Sequence, residues 1–112
     1  MQIYHNPRCS KSRQTLQLIK DANVEVEIVE YLNKIPTKEE LKVILMKLNL
    51  QAKDIVRQGE AVYKEKFKKS NFNNDEWIQI LIENPILIER PIVVKGNKAI
   101  LGRPPENVVE LL

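Results

Sequence analysis

Pro91-Ile92-Val93-Val94-Lys95-Gly96-Asn97-Lys98-Ala99-Ile100-Leu101 is the stretch on which the fold turns. Ile92-Val93-Val94 is a β-branched run behind a proline, and Lys95-Gly96-Asn97-Lys98 is a tight turn. Ala99-Ile100-Leu101 is the returning strand, so the stretch predicts an antiparallel hairpin. Immediately downstream, Gly102-Arg103 leads into Pro104-Pro105-Glu106, a composition that opens a helix. Val108, Val109, Leu111 and Leu112 supply the apolar face of that helix. The C-terminal third therefore reads β-β-α.

The N-terminal third reads differently. Gln2-Ile3-Tyr4-His5 is a short strand stopped by Asn6-Pro7, because Pro7 cannot donate to a ladder and pushes Asn6 toward an extended or turn conformation. After Cys9 the pattern becomes helical, with Leu16, Ile19 and Ala22 on one face and Asn23 as the stop. Val24, Val26 and Ile28 then alternate with Glu25, Glu27 and Val29, which is strand periodicity. Two strands flanking a helix pair in parallel by the right-handed crossover rule. Between the two thirds lies a helical region. Thr37 and Glu40 form a capping box before Leu41, Ile44, Leu45 and Leu48. Asp75 and Glu76, behind Asn74, open a helix with Trp77, Ile80 and Leu81 inward, closed by Asn84-Pro85. The expectation is a single α/β domain spanning residues 1–112. It has a mixed sheet (β-α-β, then β-β-α) and an inserted helical region, the layout of a thioredoxin-like domain.

Composition bounds the function. With 112 residues, 43% hydrophobic and 29% charged, the chain suits one folded domain with a real core. The N-terminus lacks the basic start and apolar h-region of a signal peptide, and no apolar run approaches the roughly 18 residues of a membrane span. A cytoplasmic protein without membrane contact is expected. The net charge of +3, from 18 basic and 15 acidic residues, is too small and dispersed to indicate nucleic acid. The densest basic run, Lys64 to Lys69, contains a glutamate and reads as a solvated helix face. One histidine and one cysteine are too few for the usual metal-ligand sets.

The single cysteine carries the chemistry. It cannot form an internal disulfide, so a free thiol in a reducing compartment is expected. Cys9 stands between a strand end and a helix start, where unpaired N–H groups and the helix dipole stabilise an anion. A thiolate there has its pKa drawn down to roughly 3.5–7.5. Arg8, Lys11, Arg13 and His5 surround it, all favouring the thiolate, and no apolar residue lies within three positions. A buried, inert cysteine does not fit such flanks. Cys9-Ser10-Lys11-Ser12 is C-x-x-S, without a resolving thiol, so an external thiol must clear any oxidised or substrate-bound form. Ser12 either donates a hydrogen bond to the sulfur or simply sits in the first helical turn. The loop also suits a tetrahedral oxyanion. Arg57, Arg90 and Arg103 lie at turn or strand ends that converge on one side of an α/β sheet, and the guanidinium fork matches such an anion.

These residues carry a resemblance. Ile3-Tyr4-His5-Asn6-Pro7-Arg8-Cys9-Ser10-Lys11-Ser12-Arg13 is similar to the active-site segment of the glutaredoxin-coupled arsenate reductases. Pro85-Ile86-Leu87-Ile88-Glu89-Arg90-Pro91-Ile92-Val93-Val94 and Gly102-Arg103-Pro104 resemble two further signatures of that family. The likeness runs through nearly the whole chain and is nearest to the family's short branch, since the longer plasmid-type reductases continue past the last helix. The resemblance implies a thioredoxin-like fold with Cys9 as the thiolate that attacks arsenate. It implies that Arg57, Arg90 and Arg103 hold the oxyanion and that His5 helps to keep Cys9 ionised. Pro91 would be the cis-proline facing the nucleophile, with Asn6 and Ser12 supporting the loop. No bound cofactor is implied; glutathione would be the co-substrate, and a glutaredoxin would remove the mixed disulfide.

Two other readings compete. A glutathione-dependent thiol reductase on the same fold would not need three oxyanion-binding arginines. A Spx-like regulator binding RNA polymerase typically carries C-x-x-C where Ser12 stands here. The low-molecular-weight phosphatase-type arsenate reductases use a cysteine relay, which a single cysteine cannot provide.

Overall fold

A computed structural model describes residues 1–112. The chain packs as two compact units, one formed by residues 1–34 with 90–112 and the other by residues 35–89. The first carries a four-stranded mixed sheet: β1 (Gln2–Tyr4), β2 (Glu27–Val29), β3 (Ile92–Lys95) and β4 (Lys98–Leu101), in the order β2-β1-β3-β4. β1 pairs in parallel with β2 across helix α1 (Ser10–Asp21) and antiparallel with β3; β3 and β4 form the predicted hairpin. Ile3, Ile19, Val93, Val108 and Leu111 make the buried core between sheet, α1 and a C-terminal 3₁₀ helix, Pro105–Leu111. The α/β class and the mixed thioredoxin-like sheet are as expected.

Local chemistry sets the element ends. Gly96 (φ 58°) takes the first central position of the turn between the paired Lys95 and Lys98, where a type II′ hairpin favours glycine. Asn23 is also left-handed (φ 58°), just past the end of α1, as its role as a stop requires. The second strand is shorter than its alternation suggested. Val24 and Val26 pack on the core but precede the ladder, which begins only at Glu27 on the edge of the sheet. The buried face of α1 also differs: it runs through Ser12, Thr15 and Ile19, while Ala22 is exposed. Two hydroxyls occupy positions that an apolar-periodicity argument gives to core residues. The last helix is 3₁₀ rather than α, so Val108 and Leu111, three apart, turn inward with Pro105, and Val109 and Leu112 face solvent.

The second unit is the inserted helical region. It holds α2 (Lys38–Leu48), α3 (Asn74–Glu83), 3₁₀ turns at Ala52–Ile55 and Pro85–Leu87, and a π-helical turn at Tyr63–Phe67. The lysines of that last turn are solvated, and Tyr63, Phe67 and Phe72 pack around Trp77. Thr37 caps α2 through the predicted box: its hydroxyl accepts from the Glu40 N–H at 3.1 Å and Glu40 accepts from the Thr37 N–H at 3.1 Å. α3 begins one residue earlier than expected, because Asn73 rather than Asn74 places Glu76 third in the helix and closes a second box. Thr37→Ala is expected to lower unfolding free energy by about 1 kcal/mol, seen as a reduced urea midpoint with an unchanged m-value.

Segments 55–57 and 87–89 lie antiparallel around a Val56–Ile88 bridge. The Arg57 N–H donates to Leu87 O and the Glu89 N–H to Ile55 O, both at 2.8 Å. This register sets the Arg57 side chain beside that of Glu89.

Candidate active site

Cys9 is the N-cap of α1, with extended φ/ψ of −95° and 123°. An N-cap side chain ordinarily offers an oxygen to the N–H groups two and three residues on. Here sulfur holds that place, with no cap hydrogen bond closed by the side chain. α2 and α3 each carry two carboxylates in their first turn, whereas α1 has none. The positive end of its dipole is thus left for an anion at Cys9.

The loop behind the cysteine is closed by its own residues. The Asn6 carbonyl accepts from the Cys9 N–H at 3.0 Å, and Asn6 Oδ1 accepts from the Arg8 N–H at 3.0 Å. The Asn6 N–H donates to Ser12 Oγ at 3.1 Å, and the same hydroxyl lies 2.6 Å from His5 Nδ1. His5, Asn6 and Ser12 are all buried. The Ser12 hydroxyl is therefore engaged beneath the loop, with His5 and Asn6.

The cations come from the same end of the sheet, where the start of β3 and the end of β4 lie level with the C-terminal end of β1. The Arg90–Pro91 peptide is cis, as expected for Pro91, and a second cis bond, Arg103–Pro104, was not anticipated. Arg103 Nη1 donates to Cys9 Sγ at 3.8 Å and to the Arg90 carbonyl at 3.1 Å. Gly102 brings this loop against α1: its N–H donates to Pro91 O at 2.9 Å, and Thr15 Oγ1 lies 3.3 Å from its carbonyl. A β-carbon at position 102 would stand 2.5 Å from Thr15 Oγ1 and 2.7 Å from Pro91 Cγ, so only glycine fits. Thr15 is held in turn by donation to Lys11 O at 2.8 Å.

These groups decide the charge on sulfur. Burial pushes the Cys9 thiol up, but the Ser12 N–H, the Arg90 and Arg103 guanidiniums and the Lys11 N–H outweigh it, holding the thiol below its ordinary value. The side chains of Arg8, Lys11, Arg13 and His5, expected to favour the thiolate directly, are not among the groups that do so. Arg8, Lys11 and Arg13 are exposed, and Arg13 Nη1 donates to Pro7 O at 3.0 Å. Burial lowers His5 below its usual range, opposed by Glu30 and helped by Lys20 and Arg13, so the ring is neutral at pH 7. A neutral imidazole works on the loop through Ser12, not on the sulfur as a charge.

The structure thus brings Cys9, Arg90, Arg103, Pro91, His5, Asn6 and Ser12 into one unit. Arg57 belongs to the other. There it pairs with Glu89 at 2.8 Å and Glu60 at 3.4 Å. Burial lowers its pKa, but the two carboxylates prevail and raise it above its ordinary value. Sequence reading passed over Thr15 and Gly102, although a glycine directly before an expected binding arginine is itself a sign of close approach.

Fold and site together define a thioredoxin-like domain built around one cysteine at a helix N-terminus. The chain belongs to the ArsC family, whose profile matches residues 4–111. It is 46% identical to YfgD of Escherichia coli K12, described as an uncharacterized protein, over 100% of this chain and 96% of that one. It is 41% identical to an arsenate reductase of Neisseria meningitidis serogroup A, over 100% of this chain and 97% of the relative. Among solved structures, an arsenate reductase from Vibrio cholerae superposes with a TM-score of 0.93 at 42% identity, covering 100% of this chain and 98% of the other. The protein is accordingly arsenate reductase-like. No helix is long and apolar enough to cross a membrane.

Proposed function

We propose that this protein is a cytoplasmic arsenate reductase that uses Cys9 as nucleophile, glutathione as co-substrate and a glutaredoxin as the final reductant. The observation that carries the reading is the setting of Cys9 Sγ: a sulfur at the N-cap of α1, where the helix dipole favours an anion, with the Arg103 guanidinium donating to it at 3.8 Å. Fixed donors of this kind favour a thiolate first and a bound oxyanion next.

Three steps follow. The Cys9 thiolate attacks arsenic of arsenate, an S–As bond forms, and one arsenate oxygen leaves as water after taking up protons. Glutathione sulfur then attacks Cys9 Sγ. As the S–S bond forms the S–As bond breaks, and its electron pair stays on arsenic, which falls from the +5 to the +3 state and departs as arsenite. A glutaredoxin thiolate finally takes the glutathione from the mixed disulfide, freeing Cys9 as thiolate. Arg90 and Arg103 stabilise the charge on the arsenate oxygens in the first step. C-x-x-S makes the external thiol obligatory, because Ser12 cannot close a disulfide.

Steady-state arsenite formation with glutathione and glutaredoxin tests this. Wild type is expected to turn over, and Cys9→Ser to fall to background. Wild-type protein that reduces glutathione mixed disulfides but yields no arsenite would leave a thiol reductase instead. Arg57, which the resemblance also implies holds the oxyanion, is tested separately. Arg57→Ala is expected to raise KM for arsenate, and an unchanged KM removes it from the site.

A further inference from the structure

We infer that Asn107 is a positioning residue for this site: from the C-terminal 3₁₀ helix it fixes the backbone that aims Arg103 at the Cys9 sulfur. The inference rests on Cys9 working as the thiolate proposed above. Asn107 touches neither sulfur nor substrate in this account and acts through Arg103.

Leu101 ends β4 and Pro105 begins the 3₁₀ helix, so the carbonyls between them have no ladder or helical partner assured. Asn107 supplies what is missing. Its Nδ2 donates to Leu101 O at 3.1 Å and to Arg103 O at 3.2 Å, and its backbone N–H donates to Pro104 O at 3.1 Å. An amide NH₂ has two hydrogens, and both are committed to the carbonyls that bracket Gly102. Gly102 is the residue pressed against Thr15 and Pro91, with no room for a β-carbon. The segment is thus held from below by α1 and from its downstream side by Asn107.

Arg103 needs such a frame. One nitrogen, Nη1, reaches both Cys9 Sγ at 3.8 Å and the Arg90 carbonyl at 3.1 Å. A donor–sulfur distance this long leaves little tolerance, and a further drift of the backbone abolishes the contact. Asparagine is specific at this position. Aspartate would set an oxygen against two carbonyl oxygens, and alanine would leave both carbonyls without this partner.

The test is the pH dependence of Cys9 alkylation by iodoacetamide in the full chain, which needs no arsenate. Asn107→Ala and the milder Asn107→Ser, which keeps one donor, are expected to move the midpoint up, by about half a pH unit for alanine and less for serine. In an Arg103→Ala background, Asn107→Ala is expected to add nothing. Val108→Ala, a core residue one position along the same helix, is expected to lower the melting temperature and leave the midpoint in place. A midpoint unchanged in the folded Asn107 variants overturns the inference, and so does an equal shift with Arg103 absent. A wild-type midpoint at the ordinary thiol value would instead overturn the reading of Cys9 itself.

Discussion

Arg103→Ala is expected to cut arsenite formation about a hundredfold or more and to raise the midpoint of Cys9 alkylation by about one pH unit. Both effects have one origin. Arg103 places a guanidinium N–H 3.8 Å from Cys9 Sγ, at the only sulfur in the chain that is a thiol. Losing it weakens the thiolate before substrate arrives and removes a fixed cation from the oxyanion that forms afterwards. KM for arsenate should rise and kcat fall together, because the same group serves binding and the step itself. Arg103 Nη1 also donates to the Arg90 carbonyl, and losing that bond is expected to cost folding about 1 kcal/mol. Arg103→Lys tests the geometry. An ammonium retains the charge but not the planar fork, so partial recovery of the alkylation midpoint with poor recovery of turnover is expected. A variant that folds, keeps the wild-type midpoint and turns over normally would remove Arg103 from the site.

Gly102→Ala is the second large effect, and it falls first on stability. The added methyl would meet Thr15 Oγ1 at 2.5 Å, Pro91 Cγ at 2.7 Å and Thr15 Cγ2 at 3.0 Å. None of these is the far end of a long flexible side chain. Thr15 is fully buried and bonded to Lys11 O, and Pro91 is a rigid, buried ring. Relief requires the 101–104 loop to move away from α1, at a cost of about 2–3 kcal/mol. For a chain of this size that corresponds to a fall in melting temperature of about 10 °C. Gly59→Ala is the control, because no heavy atom lies within 4 Å of a β-carbon there and its melting temperature should barely change. The loop that Gly102→Ala displaces carries Arg103, so residual folded protein should also show a raised alkylation midpoint. A Gly102→Ala protein as stable as wild type would mean that the close packing of this loop on α1 is wrong.

Much of this was legible in the chain. Gly96-Asn97 between two apolar runs gave a hairpin because its turn chemistry is local. The Thr37–Glu40 box marked a helix start for the same reason. Cys9 could be singled out because its polar flanks give it no apolar partner and the strand-to-helix boundary on either side gives it a dipole. Features fixed by distant partners were harder. Ser12 and Thr15 broke the expected apolar stripe of α1 because their hydroxyls answer to His5, Asn6 and Gly102, which periodicity does not see. His5, four residues from the thiol, read as a charge beside it, yet burial makes it neutral and its partner is Ser12. The arginines show both cases. Arg103 was marked by its place after a strand end, whereas the pairing of Arg57 with Glu89 depends on a bridge between segments about thirty residues apart, which no local pattern announces.

The central claim is that arsenate reduction passes through the sulfur of Cys9. A single turnover without glutaredoxin tests it most directly: protein is mixed with arsenate and glutathione, then arsenite and intact protein mass are measured in the same sample. One equivalent of arsenite should appear with one glutathione per chain, mapped to Cys9, and the two should rise at the same rate. Arsenite released while Cys9 carries no glutathione, or glutathione added to Cys9 at the same rate without arsenate, would contradict the account.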